Sequence, residues 1–421
     1  MAPPAAADPI IIVGASLAGA TIADGLRREK WQGGILMIGA EPELPYHRPP
    51  LSKEFLSGKL GADRLPIRDA SFYAERRIET IVGRRVVAID REAREVAIDD
   101  GGRYRFAGLA LAVGARPRRL GVAGEDFAGV LPLRSVADCR AIRTRLDAAR
   151  RVVVIGGGFI GLECAASLRG LGKEVAVLEG RERLMPRVLP PILSAFYQRL
   201  HEGRGVRILC NASVREIAGS NGAVEAVVCA DGTSLPADLV IVGVGVQPNV
   251  ELAQACGLAC DNGISVDERA RTSDPGIVAA GDCASHPNRH FGGRVRLESV
   301  QNATDQGRVA AATLAGRDSV HDSVPWFWSD QYDAKLQMVG TSAGHDRHVQ
   351  RGDPAGGKFS IFYFKEGRLI GADSIGAPLD HLTARKLLAA GAPLTPEQAG
   401  DLGIDLRDLA ATQPPPAAHR V

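Results

Sequence analysis

No Cys-x-x-Cys pair occurs in the sequence. Its seven cysteines, Cys139, Cys164, Cys210, Cys229, Cys256, Cys260 and Cys283, are an odd number that nowhere clusters with histidine at metal-ligand spacing. That absence argues against a vicinal dithiol, a thiolate metal site and a regular disulfide framework together. The cysteines are read as reduced packing residues, with Cys256 and Cys260 the one pair close enough to suggest otherwise; no metal is expected. The apolar run Ile10–Val13 stops at Gly14, and the stretch before it is rich in Ala and Pro without a basic segment. Neither a signal peptide nor a membrane span is expected, and the cytoplasm is the expected location. An excess of charge of one sign is missing too. The 51 Lys and Arg against 49 Asp and Glu leave a formal charge of +2 with no isolated basic block, so nucleic acid is not an expected partner and any electrostatic recognition must be a local patch. With 45% hydrophobic and 24% charged residues, 421 residues suffice for two or three domains with cores of their own.

What the chain does have is a glycine turn that occurs twice. Gly14-Ala15-Ser16-Leu17-Ala18-Gly19 follows the strand Ile10–Val13 and opens a helix over 15–29, which leads to a strand over 35–38. Gly156-Gly157-Gly158-Phe159-Ile160-Gly161 follows a strand over 151–155 and precedes a helix over 162–171 and a strand over 174–179. Strand, glycine turn, helix and strand make a βαβ unit, in which the turn lets backbone approach a pyrophosphate and the helix N-terminus offers unpaired N–H groups. Repetition in the right context raises a weak motif to a strong one. Two nucleotides on one polypeptide imply electron transfer between them.

In the second copy Glu179 closes the second strand, where a carboxylate accepts ribose hydroxyls and repels a 2′-phosphate; NADH is expected over NADPH, although Arg181 and Arg183 stand near enough to grip such a phosphate instead. The first copy departs from the pattern, with Ser16 for the middle glycine and Ala40 at the strand end, the acid arriving one position later as Glu41.

Buried-strand patterns over 109–115 and 239–245, each ending in Gly or just past it, lie where the chain would cross between units, and the second unit is read as inserted into the first. The expected fold is α/β. It comprises two Rossmann-type, doubly wound, glutathione-reductase-like nucleotide-binding domains and a smaller α+β C-terminal domain. The first spans 9–115 and 246–324, the inserted one 116–245, and the last, with short aromatic strands such as 359–364, spans 325–412. The segments 1–8 and 413–421 are expected to be disordered tails.

Four separated motifs in order carry a resemblance over nearly the whole chain: Leu44-Pro45-Tyr46-His47-Arg48-Pro49-Pro50-Leu51-Ser52-Lys53; the second glycine turn followed by Leu162-Glu163; Thr272-Ser273-Asp274-Pro275 leading to Gly281-Asp282-Cys283; and Trp326-Phe327-Trp328-Ser329-Asp330-Gln331-Tyr332. The chain resembles the FAD-dependent, NADH-linked ferredoxin reductases of the putidaredoxin reductase and biphenyl-dioxygenase reductase kind. The resemblance implies an FAD site of Gly14, Ser16, Ala18, Gly19, Glu41, Arg48, Lys53, Val86, Arg134, Gly281, Asp282 and Val300. Within it Lys53 lies near the flavin ring, Val86 meets adenine, Arg134 stands on the flavin side, Asp282 holds the ribityl chain and Val300 the pyrimidine edge. It implies an NAD site of Gly156, Gly158, Ile160, Gly161, Glu163, Glu179 and Gly245, with Glu163 beside the nicotinamide and paired with the lysine. Lys53 and Glu163 are the candidate catalytic residues.

The physics agrees. A flavin that accepts hydride becomes anionic, and an ammonium in a dry site raises its electron affinity. Flavin disulfide reductases hand their electron pair to a dithiol beside the ring; this chain has no such pair and carries Leu51-Ser52-Lys53 where cysteine-based oxidases would place their thiol. Single electrons then go to a small acidic 2Fe–2S ferredoxin docked on a basic rim, for which Arg308 and Lys335 lead Arg289, Arg294 and Arg296 as candidates. Trp326 and Trp328 fit either the path to that partner or the core of the last domain. The terminal acceptor is a monooxygenase or ring-hydroxylating dioxygenase, and a monomer or weak dimer is expected. The alternatives are a rubredoxin reductase, a monodehydroascorbate-type reductase, and an NADH-sensing flavoprotein akin to apoptosis-inducing factor.

Overall fold

β-Branched runs buried on both faces build two parallel sheets of the same plan. The protein is described here by a computed structural model covering residues 8–411. In the first sheet the order is Ile277–Ala279, Gly108–Leu111, Ile10–Val13, Ile35–Gly39 and Glu79–Val82. In the second it is Val130–Pro132, Leu239–Val242, Arg151–Ile155, Glu174–Leu178 and Arg207–Leu209. Every neighbouring pair in both is parallel. The strand that opens each glycine turn is central, so both turns emerge at the carboxyl end of a sheet, where doubly wound folds bind ligands.

The chain crosses between the modules twice, and the crossings pair with each other as an antiparallel ribbon, Ala115–Pro117 against Val246–Pro248. The stretches 109–115 and 239–245, read above as continuous strands, stop at Leu111 and Val242. Beyond them the backbone turns through Gly114 and Gly245, at φ 63° and 95°, a region that glycine occupies without a Cβ penalty. The helix read over 162–171 in fact begins at Phe159, because the last residues of the glycine turn already form its first turn.

The last domain is an antiparallel sheet ordered Trp326–Gln331, Ala334–Gly340, Arg368–Ile375, Lys358–Lys365 and Arg347–Asp353, followed by the helix Pro378–Ala390. One face of this sheet, through Leu336, Phe359, Ile361 and Tyr363, shares a core with Leu193 and Tyr197 of the second module. The tails expected to be disordered lie outside the described residues, apart from Asp8, which pairs with Arg105.

Within that shared core Asp373 is fully buried and accepts a 2.7 Å hydrogen bond from the Tyr363 hydroxyl. Burial pushes its pKa up to about 7. The folded value stands above the unfolded one, so the buried acid is tolerated below about pH 4 and costs stability progressively as pH rises to about 7, by roughly 4 kcal/mol at about 1.4 kcal/mol per unit. Asp373→Asn is expected to melt close to the parent in acid and well above it at alkaline pH. Parallel melting-temperature profiles of parent and variant across this range would contradict this assignment.

Candidate functional site

Both glycine turns are closed by backbone contact that no side chain permits. A Cβ on Gly14 would lie 2.1 Å from the Ala112 carbonyl oxygen, and one on Gly156 2.3 Å from that of Gly243. Gly19 and Gly161 likewise press their helices onto the carbonyls of Gly14 and Gly156. The two helices, Leu17–Arg28 and Phe159–Gly170, start at Ser16 and Gly158 with no side-chain cap on their first N–H groups. Uncapped helix N-termini facing open space suit an anion. A Cβ on Gly158 would meet nothing within 4 Å, and the Ser16 hydroxyl is not spent on its own helix. The residues therefore fit a dinucleotide in each module.

A cleft joins the modules. Ser16, Ala18, Gly281, Asp282 and Val300 line it from the first module, Ile160 and Glu163 from the second, Val246 from the crossing ribbon, and Phe327 and Trp328 from the C-terminal sheet, with Lys53 and Arg134 beside them. Gly281, at φ 83°, has no Cβ and lets its strand end approach Ala18. At the cleft wall the Lys53 ammonium lies 2.7 Å from the Glu163 carboxylate, although 110 residues separate them. Glu163 is 3% exposed and Lys53 14%. The same carboxylate accepts from the Ser52 hydroxyl at 2.5 Å and from the Ser329 hydroxyl at 2.7 Å. A buried carboxylate is tolerable only with such company. Ser52 and Ser329 were not singled out as site residues from the sequence, because a serine in an otherwise ordinary strand or turn carries no local signal.

Residues 8–307 match the family model of the pyridine nucleotide-disulphide oxidoreductases, and 326–410 match the reductase C-terminal domain. The chain is 44% identical to rhodocoxin reductase of Rhodococcus erythropolis over 398 residues, 94% of this chain and 93% of that one. It is 46% identical over 404 residues to the ferredoxin–NAD(+) reductase component of the anthranilate 1,2-dioxygenase system of Burkholderia cepacia, 95% and 99% of the two chains. In the covalent putidaredoxin reductase–putidaredoxin complex, the matching chain superposes with a TM-score of 0.93 at 42% identity, covering 96% of this chain and 99% of that one. The chain belongs to the ferredoxin reductases of the pyridine nucleotide-disulphide oxidoreductase family.

In this ferredoxin reductase, an FAD and NADH enzyme, no cysteine lines the cleft, and all seven are free thiols. Burial pushes Cys139 and Cys283 up to about 11, which keeps them protonated and unreactive. The disulphide of the family name thus has no counterpart at the site.

Several residues read separately from the sequence meet here. Arg134 pairs with Asp282 at 2.7 Å. Glu41 is held by Arg48 at 2.5 Å and by the Tyr46 hydroxyl, while Arg48 also donates to the Arg134 carbonyl. The Glu41 carboxylate is therefore committed to a loop-fixing cluster. Val86 lies on the antiparallel appendage Val86–Asp90 and is not among the residues lining the cleft.

Glu179 stands one residue past the second strand of its module, which stops at Leu178 and not at Glu179 as read from the sequence, and it accepts from the Gly157 N–H at 2.8 Å and the Arg181 N–H at 2.9 Å. Arg183 donates to Leu189 O, Ser194 Oγ and Pro186 O, so its guanidinium is engaged with its own loop. Glu179→Gln is expected to raise kcat/KM for NADPH about tenfold by relieving like-charge repulsion, with a fall for NADH. An unchanged NADPH/NADH ratio in steady-state assays would show that the carboxylate does not set the preference.

Proposed function

We propose that the first module holds FAD and the second NADH, with Lys53 and Glu163 as the pair that serves hydride transfer between them and a 2Fe–2S ferredoxin as the acceptor. The balanced reaction is NADH plus two oxidised ferredoxins giving NAD, two reduced ferredoxins and one proton. Bound FAD supplies the capacity to accept an electron pair and release it singly. The chain does the rest. The Ser16 and Gly158 helix ends bind pyrophosphates, Gly281 and Val300 shape the ring pocket, and Ile160 and Phe327 exclude water from it. Lys53, kept in place by Glu163, presents positive charge to the cleft, where low dielectric strengthens its effect on negative charge that develops there.

The single observation that carries this reading is the buried Lys53–Glu163 pair in a cleft shared by both modules and free of thiols. With no dithiol to take an electron pair, the outlet is a one-electron carrier at the cleft edge. Trp328 lines that edge and lies 5.6 Å, ring to ring, from Trp326, which is capped by the Arg385 guanidinium. Of the cations suggested for a docking rim, Arg289, Arg296 and Arg308 are engaged with Asp322, Glu298 and Asp305, and Arg294 with backbone carbonyls. Lys335 is exposed and, among the described residues, in no ion pair, which favours it for an acidic partner. No helix among the described residues is long and apolar enough to cross a membrane, and the free thiols suit a reducing cytoplasm.

The test is NADH-driven cytochrome c reduction with a panel of 2Fe–2S ferredoxins and rubredoxins. Rapid turnover that requires an added 2Fe–2S protein supports the proposal. Turnover with rubredoxin only, or slow turnover whatever carrier is added, favours a rubredoxin reductase or an NADH sensor respectively.

A further inference from the structure

Glu163 is the last acceptor of a hydrogen-bond chain that runs away from the cleft. The Ser329 hydroxyl bonds its Oε1 at 2.7 Å, the Gln331 amide lies 3.2 Å from Ser329 Oγ, and His201 Nε2 lies 2.9 Å from Gln331 Oε1. On the far side of the imidazole the Tyr332 hydroxyl stands 3.5 Å from Nδ1. Ser329, Gln331 and His201 are all completely buried.

The direction of the chain is forced from one end. An ionised carboxylate only accepts, so Ser329 must donate to Glu163. Its oxygen then accepts from the Gln331 NH2, which turns the Gln331 carbonyl toward His201. A carbonyl cannot donate, so His201 must carry its proton on Nε2 and leave Nδ1 as the acceptor facing Tyr332. Every donor thus points toward Glu163, and bonds aligned in one sense polarise each other and strengthen the terminal bond to the anion. Burial holds the His201 pKa below its ordinary value, in keeping with a neutral ring.

The members come from different units. His201 ends the helix Pro191–Glu202 of the second module, whereas Ser329 and Gln331 sit on one face of the strand Trp326–Gln331 in the C-terminal domain. Phe327, on the same face, packs its ring 4.7 Å from that of Phe159, one turn before Glu163. Lys53 and Ser52 reach Glu163 from the first module.

We propose that Gln331 and His201 are positioning residues for hydride transfer: acting through Ser329, they hold the Glu163 carboxylate aimed at Lys53, so that the C-terminal domain completes the reaction site as well as facing the partner. The inference rests on the reading of Lys53 and Glu163 as the hydride-transfer pair. Without the chain, Glu163 loses the Ser329 donor and its carboxylate is no longer held against the Lys53 ammonium.

Two measurements on the FAD-loaded protein test it. In histidine-selective ¹⁵N NMR, with the signal assigned by its loss in His201→Gln, residue 201 is expected to be the neutral Nε2–H tautomer throughout about pH 6 to 8. An Nδ1–H tautomer or an imidazolium in that range overturns the chain whatever the enzyme's acceptor proves to be. In rapid-mixing kinetics with NADH, Gln331→Leu and His201→Phe are expected to slow hydride transfer about tenfold with the NADH dissociation constant unchanged, and to lower the flavin midpoint potential. His201→Gln, which keeps a donor near the Nε2 position, should restore both. Parent-like rate and potential in Gln331→Leu and His201→Phe, or an equal loss in His201→Gln, would overturn the proposal. If the parent instead reduces no ferredoxin while the tautomer is as expected, the functional reading has failed and the chain stands.

Discussion

Lys53→Met is expected to slow hydride transfer from NADH by about two orders of magnitude, the loss typical when one preorganised charge or donor facing developing negative charge is removed, with NADH still bound. The effect follows from the burial of the pair: Lys53 and Glu163 are 14% and 3% exposed, so little water is at hand to replace the ammonium. The same substitution leaves Glu163 with the Ser52 and Ser329 hydroxyls but no countercharge. Breaking a buried pair from one side typically costs about 3–5 kcal/mol, so Lys53→Met is also expected to melt well below the parent. The double variant Lys53→Met/Glu163→Gln separates the two consequences. With no buried charge left unpaired it should recover most of the lost melting temperature and none of the lost rate. Rapid-mixing absorbance and thermal melts on the three proteins decide the matter; a parent-like rate in Lys53→Met would remove the lysine from the reaction.

Gly14→Ala and Gly156→Ala should fail in different ways, although the two positions are near copies. Their φ values, 117° and 114°, are ones that L residues rarely adopt, which by itself costs about 1–3 kcal/mol. In each, the added methyl would also meet a backbone carbonyl well inside contact distance, that of Ala112 or of Gly243, which follows directly on a strand paired with the central one. Gly14→Ala is expected to purify colourless, unable to retain FAD. Gly156→Ala is expected to stay yellow, because its sheet is separate from the one that carries the first glycine turn, yet to need far more NADH for reduction. Absorption spectra and NADH titration, with circular dichroism to confirm that each variant is folded, distinguish the two. A yellow Gly14→Ala beside a colourless Gly156→Ala would reverse the assignment of cofactors to modules.

The turns were legible because their chemistry is local: a strand, a glycine that must take positive φ, and a helix start lie within ten residues, and each leaves its own mark on composition. Glu179 was legible for the same reason, since a strand end at a fixed distance from the turn places it. The partners that Arg183 and Glu41 take in the fold were not legible, because they come from tertiary contacts. Arg183 sits near the ribose position in sequence, but the loop after the strand folds back and spends its guanidinium on Leu189, Ser194 and Pro186. Glu41 stands one place beyond the usual acid and is taken by Arg48 and Tyr46. Neither pattern nor spacing in a single chain reports such competition.

By itself the sequence determined the two nucleotide modules, their order, and the want of a dithiol to receive electron pairs, all of which depend on near neighbours along the chain. Resemblance, rather than pattern, tied Lys53 to Glu163. Only the tertiary structure decided that Ser52 and Ser329, 111 and 166 residues from Glu163, complete its shell, and that His201 and Gln331 stand behind them. Elements far apart in the chain have to pack into one core before those groups touch, and the burial that makes their hydrogen bonds matter exists only after they have.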